Sequence, residues 1–344
     1  MRGKLLNSIA ETISDYREDE ITVNSDHIEK WIQQFSDEAQ TPILQEMDHA
    51  LKKTYFSKKA TKAFLEELFK NSDLVGEDPC AFWDRATILN IQSNGNSQKE
   101  MVLLLNKVIN NNCNLHSASS KQSSFEEFIY LDDGLFTGNR ILRDLDKWLT
   151  HTAPQNATVH VITIALHLGG YFYIKDKIEK LEAAINKGIT IRFWRLLELE
   201  DRKTYINSSD VLRPCVIPDD QASKEYVDRM TYKPCLRYPG QAGNKAVFSS
   251  DEGRQLLEQE FLLAGVKIRQ MCPYLNEYQR PLGNSVLETL GFGSLFVTFR
   301  NCPNNAPLAL WAGDPWFPLF PRKTNSETSF AKYKAMLDKT FLLW

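Results

Sequence analysis

The chain has 344 residues, of which 42% are hydrophobic and 25% charged, and a formal net charge of −3. Length and composition fit a soluble globular protein of about two domains with room for a large core. The slight negative charge excludes recruitment of nucleic acid or membrane by global electrostatics. No apolar run approaches the ~20 residues that span a bilayer, so no membrane partner is expected.

Residues 1–70 read as helical, taking Ser8–Tyr16, Asn24–Phe35, Thr41–Lys53 and Thr61–Phe69 in turn. Asn24 and Ser25 form a start signal, and Ile28, Trp31, Ile32 and Phe35 repeat on one face, so Trp31 and Phe35 are packing anchors. Lys52, Lys53, Lys58, Lys59 and Lys62 form a modest basic cluster near Tyr55, most simply a solvated helix face. A turn-rich connection, 71–79, leads to an α/β region. There Ala86–Gln92 reads as a buried strand, Ser93–Gln98 as a loop and Lys99–Asn110 as a helix. Gly95 permits close backbone approach, and Ser97 and Gln98 supply donors for an anion.

The most informative run is Phe128-Ile-Tyr-Leu-Asp-Asp-Gly-Leu-Phe-Thr-Gly-Asn-Arg140. Four apolar residues make a strand, and the carboxylates Asp132 and Asp133 follow. A loop carrying Thr137, Gly138 and Asn139 leads into a helix whose Ile141, Leu142, Leu145 and Trp148 have helical spacing. Backbone N–H groups at a helix start lack partners and favour an anion such as a 5′-phosphate. The acidic pair suits ribose hydroxyls, directly or through Mg²⁺, which shares its oxygen ligands with substrate phosphates. A generic α/β strand end is the plainer alternative.

Thr158–Leu166 is a near-continuous apolar strand, Tyr173–Asn186 a helix, and Ile189–Trp194 another strand. Repeated β-α-β with apolar strands predicts a parallel sheet covered on both faces. Ligands sit at the strand carboxyl ends of such sheets, where Asp132, Asp133 and His167 fall. Leu212–Gln241 is polar and proline-bearing, in keeping with a lid or cover, and Ser249–Phe261 is a capped helix. Leu295–Phe299 is a strand leading into the polar loop 300–305, and Leu308–Trp311 is again apolar. Arg300, Asn301 and Asn304 in that loop are substrate-side candidates or the parts of a structural turn.

The six cysteines, Cys80, Cys113, Cys215, Cys235, Cys272 and Cys302, form no C-x-x-C pair. Zinc is therefore not expected, and reduced, mostly buried thiols are. The N-terminus is basic then apolar, but acids soon follow, so a cytoplasmic protein is expected.

The run Phe128–Asn139 resembles the phosphoribosyl-pyrophosphate (PRPP) signature of type I phosphoribosyltransferases. Purine-using members carry an acidic general base just before Thr-Gly, where this chain has Phe136, and Arg140 replaces their loop-closing hydroxyl. A guanidinium still binds phosphate, so sugar-phosphate binding is expected and ordinary purine salvage is not. More of the chain resembles one branch, the bacterial conflict-associated PRTase-CE proteins. The likeness includes Trp31-Ile-Gln-Gln-Phe35, Lys53-Thr-Tyr-Phe-Ser57, Gly95-Asn-Ser-Gln98, Val247-Phe-Ser-Ser250, Gly291-Phe-Gly-Ser294, Arg300-Asn-Cys-Pro-Asn-Asn305 and Pro318-Leu-Phe-Pro-Arg322.

The resemblance implies an α/β fold with a phosphoribosyltransferase-like parallel sheet flanked by helices. The expected organisation is an N-terminal helical region over 1–75, the core over 76–200, and an α+β C-terminal extension over 201–344. It implies an effector or toxin of anti-phage systems, including retrons, partnered with a reverse transcriptase and its DNA–RNA product; an oligomer is compatible with it. Asp132 and Asp133 would be catalytic and would hold Mg²⁺, Thr137–Arg140 would grip the 5′-phosphate of PRPP, and Gly95, Ser97 and Gln98 the pyrophosphate. The acceptor is open, as a base, a nucleotide, a nucleic acid, a protein or water. Two other readings stand beside this one: a non-catalytic sensing and assembly module, and nucleic-acid binding through the N-terminal helices.

Overall fold

The computed structural model describes residues 1–92, 97–113, 126–272, 275–286 and 289–322. The chain divides into two compact units, Met1–Ser57 with Arg202–Trp344, and Lys58–Asp201. Residues 58–75, expected within the N-terminal helical region, thus belong to the same unit as the sheet.

The first unit opens with helices α1 (Arg2–Thr12), α2 (Ser25–Ile32) and α3 (Asp37–Thr54), then the short strand β1 (Tyr55–Phe56). The start signal at α2 works as expected, because the Asn24 side chain accepts from the His27 backbone N–H at 2.9 Å.

The second unit contains α4 (Lys58–Phe69), α5 (Ser72–Val75), α6 (Pro79–Arg85), β2 (Thr87–Ile88), α7 (Ser97–Asn112) and β3 (Glu126–Leu135). It continues with α8 (Asn139–His151), β4 (Asn156–His167), α9 (Leu168–Ile185) and β5 (Gly188–Leu199). Its strands form one parallel sheet in the order β2-β3-β4-β5. The expected α/β architecture, a parallel sheet flanked by helices, is therefore observed. On one face Tyr130, Val159 and Val161 pack with Leu145, Trp148 and Ile174 of α8 and α9. On the other, Phe82 of α6 sets its ring against His160 at 5.9 Å.

Two expectations change in this unit. The strand over 86–92 shrinks to Thr87–Ile88, because the backbone N–H groups of Ile91 and Gln92 both donate to Gln98 Oε1, at 3.1 Å each, instead of to a neighbouring strand. Cys80 and Cys113, expected as free thiols, form a disulfide with Cα atoms 5.6 Å apart. It joins the first turn of α6 to the end of α7, a proximity that a separation of 33 residues does not announce.

The first unit resumes with α10 (Gln221–Asp228), α11 (Asp251–Met271), β6 (Gln279–Arg280), β7 (Gly283–Asn284), β8 (Val297–Thr298) and α12 (Leu308–Trp311). The two stretches of chain share one core. Strand β1 pairs in parallel with β8, and Trp31 Nε1 donates to the Ala309 carbonyl at 2.8 Å. Phe35 packs against Phe261 and Trp316, which makes Trp31 and Phe35 the packing anchors their spacing predicts. The strand expected over 295–299 pairs only through Val297–Thr298, since the chain turns back at once with Asn301 bridged to Thr298. Leu308–Trp311 is a helical turn.

The segment 212–241 is pinned down and does not form a free lid. Arg237 donates to both oxygens of Glu258 and, at 2.7 Å, to Asp251; the Arg213 backbone N–H donates to Glu258 at 2.9 Å. Arg254 completes the cluster with Nε at 2.8 Å from Glu258, and Glu258, Arg237 and Arg254 are all buried. Among the described residues no helix is long and apolar enough to cross a membrane.

Removing one member of a buried ion cluster strands the others. Glu258→Gln leaves Arg237 and Arg254 without their shared anion and is expected to cost about 3 kcal/mol of stability, measured by urea unfolding.

Candidate functional site

Strand β3 carries Asp132 and Asp133 at the carboxyl edge of the sheet, and their environments differ. Residues two apart on a strand share a face. Asp132 therefore lies above Tyr130 and Phe128, on the side of α8. It is buried, with Oδ2 accepting from Gln92 Nε2 at 2.7 Å and Oδ1 from the Asp133 backbone N–H at 2.9 Å. Asp133 is half-buried. Register sets Thr163 of β4 beside Asp132, and the buried Thr163 Oγ1 has no hydrogen-bond partner among the described residues.

Below Asp132 runs a polar chain that the sequence reading did not identify. Gln92 Nε2 also donates to the Tyr130 hydroxyl at 3.0 Å, and that hydroxyl donates to Asp144 Oδ2 at 3.0 Å. The signal was present: Asp144 sits between Ile141, Leu145 and Trp148 on the apolar face of α8, where a carboxylate needs a reason. Burial raises the Asp144 carboxyl above its ordinary value, against the opposing pull of the Tyr130 hydroxyl, Arg143 and Arg140. Burial also pushes the Tyr130 hydroxyl up, with the Asp132 charge adding to it.

The loop 136–138 is shaped by α9. A Cβ on Gly170 would run into the Phe136 carbonyl oxygen, and one on Gly138 would lie 2.5 Å from Ile174 Cγ1. Gly138 is also left-handed, with φ +80°. His167 is buried; its Nδ1–H donates to the Leu135 carbonyl at 2.9 Å and its ring stacks on Phe136 at 4.9 Å. In this arrangement His167 holds the loop.

Two helices begin near this edge, and they differ. At α9 the Gly169 backbone N–H donates to Asp201 Oδ1 at 2.6 Å, so a carboxylate of the chain already serves that helix start. At α8 the cap is Gly138, with no side-chain cap and no acidic residue in the first turn. Among the described residues no side chain caps its first N–H groups, and Asn139 and Arg140 are exposed beside them with Thr137 partly exposed.

The structure therefore brings together Asp132, Asp133, Thr137, Gly138, Asn139 and Arg140 on one strand-loop-helix unit. Gln98 is buried and braces 91–92 through its Oε1, so that oxygen is committed to the backbone. Gly95 and the Ser97 side chain lie outside the described residues. Arg300, Asn301 and Asn304 belong to the other compact unit. There Asn301 closes a turn with Thr298, and the Asn304 carbonyl accepts from the Asn284 N–H at 2.7 Å.

The PRTase-CE family model matches residues 28–322. The chain belongs to the PRTase-CE family. That match spans both compact units, so the first unit is as much part of this PRTase-CE chain as the sheet is. No curated protein matches the chain.

Asp144 gives a pH test of the polar chain. At low pH its carboxyl is protonated in folded and unfolded chains alike; above the raised folded value it is ionised in both, and the folded state carries the full desolvation cost. Stability from this group thus falls as pH rises through that interval. Asp144→Asn can still accept from Tyr130 and should melt higher than wild type at neutral pH, with the gain vanishing toward acid. Gly170→Ala should destabilise the chain by about 1–3 kcal/mol, because the clash is with backbone; thermal melts read both.

Proposed function

We propose that this chain is a phosphoribosyltransferase-like enzyme that takes PRPP or a related ribosyl phosphate with Mg²⁺. The observation that carries the reading is the start of α8, left without a side-chain cap directly after a strand bearing two carboxylates. Thr137–Arg140 would bind the 5′-phosphate through backbone N–H groups and the Arg140 guanidinium. Asp133, the more exposed carboxylate, would meet the ribose hydroxyls, while Asp132 is held by Gln92 and the strand backbone and fixes the acidic edge.

Among the described residues no group of three or more His, Cys, Asp and Glu side chains could hold a metal ion. Mg²⁺ commonly uses one or two carboxylates plus substrate phosphates, so the pair Asp132 and Asp133 suits an ion carried in by a pyrophosphate. When bound it would neutralise charge on the leaving group. The residues themselves orient the ribose, and the start of α8 opposes the phosphate charge. Position 136 offers no proton acceptor, so the acceptor's proton must leave through another group. The biological setting we favour is that of an anti-phage effector in the cytoplasm, a retron toxin with a reverse transcriptase partner and its DNA–RNA product; this rests on family membership.

A non-catalytic sensing module is the second reading, favoured by one observation: Phe136, where relatives with purine chemistry place a base, is a packing residue stacked on His167. Titration calorimetry of PRPP with Mg²⁺ tests the shared step. Asp133→Asn is the cleaner variant, because Asp132 is tied into buried hydrogen bonds. Binding by wild type, weakened about tenfold or more in Asp133→Asn with an unchanged melting point, is expected. Absence of binding to wild type would sink the ribosyl-phosphate site. Binding without pyrophosphate release, across the acceptor classes above, would favour the sensor.

A further inference from the structure

The Cys80–Cys113 bond takes no part in the candidate site, yet the loop it closes contains both glutamines of the acidic edge. Between the two cysteines lie β2, Gln92, which donates to Asp132, and Gln98, which accepts from the backbone N–H groups of Ile91 and Gln92. This edge of the sheet is its most weakly tied. Strand β2 pairs with β3 through Thr87 and Ile88, with one more bond from the Leu89 N–H to the Ile129 carbonyl at 2.8 Å. By contrast β3 with β4, and β4 with β5, pair along nearly their whole length.

The closed arrangement also carries an unmet demand. Gln98 Nε2 and Gln92 Oε1 are buried atoms with no hydrogen-bond partner among the described residues. Such groups favour opening, because water would serve them. Against this stand the buried Met101, Leu105, Val108 and Ile109 of α7, and the disulfide at the far end of that helix. A disulfide acts chiefly on the open state, by denying it chain freedom. Here the freedom denied is that of residues 80–113, so the bond suppresses local opening of α6, β2 and α7 more than it alters their closed contacts. It is also within reach of a reductant: Cys113 is buried, but Cys80 is partly exposed.

We propose that Cys80–Cys113 is a redox switch on the acidic edge: oxidised, it keeps the chain from Gln98 through Gln92 to Asp132 closed; reduced, it lets that chain open. The reductant is a dithiol. Its thiolate attacks Cys80 Sγ, forms a mixed disulfide and expels the Cys113 thiolate, which takes up a proton. Its second thiol then displaces Cys80, which leaves two cysteine thiols and one oxidised dithiol, a transfer of two electrons. The consequence for a ligand, a weaker hold on a ribosyl phosphate, rests on the proposed function; the opening itself does not.

The test is hydrogen exchange of the full chain, read by mass spectrometry with and without dithiothreitol, beside Cys80→Ser, in which the bond cannot form. A thiol titration in urea establishes the starting state, with four reactive thiols expected before reduction and six after it. Reduction of wild type should speed exchange at the amides of Ile91 and Gln92 about tenfold or more, with α11 of the first unit unchanged. Cys80→Ser should exchange at the reduced rate in both conditions. PRPP with Mg²⁺, titrated calorimetrically, should bind more weakly to the reduced chain. Six reactive thiols before reduction, or exchange at Ile91 and Gln92 that reduction leaves unchanged, would overturn the proposal. So would a rise shared equally by β3, β4 and β5, the mark of a bond that only stabilises the unit. Where PRPP binds, equal affinity in the two forms would overturn it as well. If neither form binds PRPP, the ribosyl-phosphate reading fails and the exchange rates still decide the switch.

Discussion

The candidate site depends on one close approach between two backbones. Gly170, in the first turn of α9, leaves no room for a side chain beneath the Phe136 carbonyl. With any other residue there, the loop after β3 would be lifted away from α9, and Gly138 could not sit against Ile174. His167 adds the second constraint by taking the Leu135 carbonyl and stacking on Phe136. A glycine and a buried histidine on one element thus set the path of a loop on another. The uncapped start of α8 is a consequence of that path, since the residue that would ordinarily cap it is the left-handed Gly138.

Electrostatics then separates two adjacent aspartates that the sequence presents as a pair. Alternation sends neighbouring strand residues to opposite faces, so Asp132 joins Tyr130, Gln92 and Asp144 in a continuous polar chain below the edge. Asp133 keeps partial exposure. A desolvated carboxylate such as Asp144 next to a buried tyrosine is costly, and its position under the acidic edge explains why that cost is borne there: it fixes the hydroxyl that fixes Gln92, which in turn fixes Asp132.

Much of this was legible where the physics is local. The β3 strand, its loop and α8 appear in the sequence as an apolar run, small residues and helical spacing, and each of those signals depends on near neighbours. The cap at Asn24 and the anchors Trp31 and Phe35 were legible for the same reason. What was hidden depends on distant partners. Gln98 is expected as a donor for an anion, and what the sequence hides is that its Oε1 takes the amides of Ile91 and Gln92 once α7 is in place, while its buried Nε2 has no hydrogen-bond partner among the described residues. The helix expected from Tyr173 begins earlier, at Leu168, with Gly169 and Gly170 in its first turn, and Asp201, far along the chain, serves that start. The Cys80–Cys113 bond and the sharing of the first unit between both ends of the chain are invisible to composition and period alike.

Asp201 carries the argument one step further. It is the last residue of the second unit, and its carboxylate both accepts from Gly169 and crowds the place where a Gly169 side chain would go. The chain therefore leaves the sheet unit through the residue that serves the start of α9, and α9 is the helix whose Gly170 shapes the loop 136–138. The hydrogen bond between Gly169 and Asp201 ties the last residue of this unit to the first turn of α9, where Gly169 faces the Asp201 carboxylate and Gly170 admits no side chain beneath the Phe136 carbonyl.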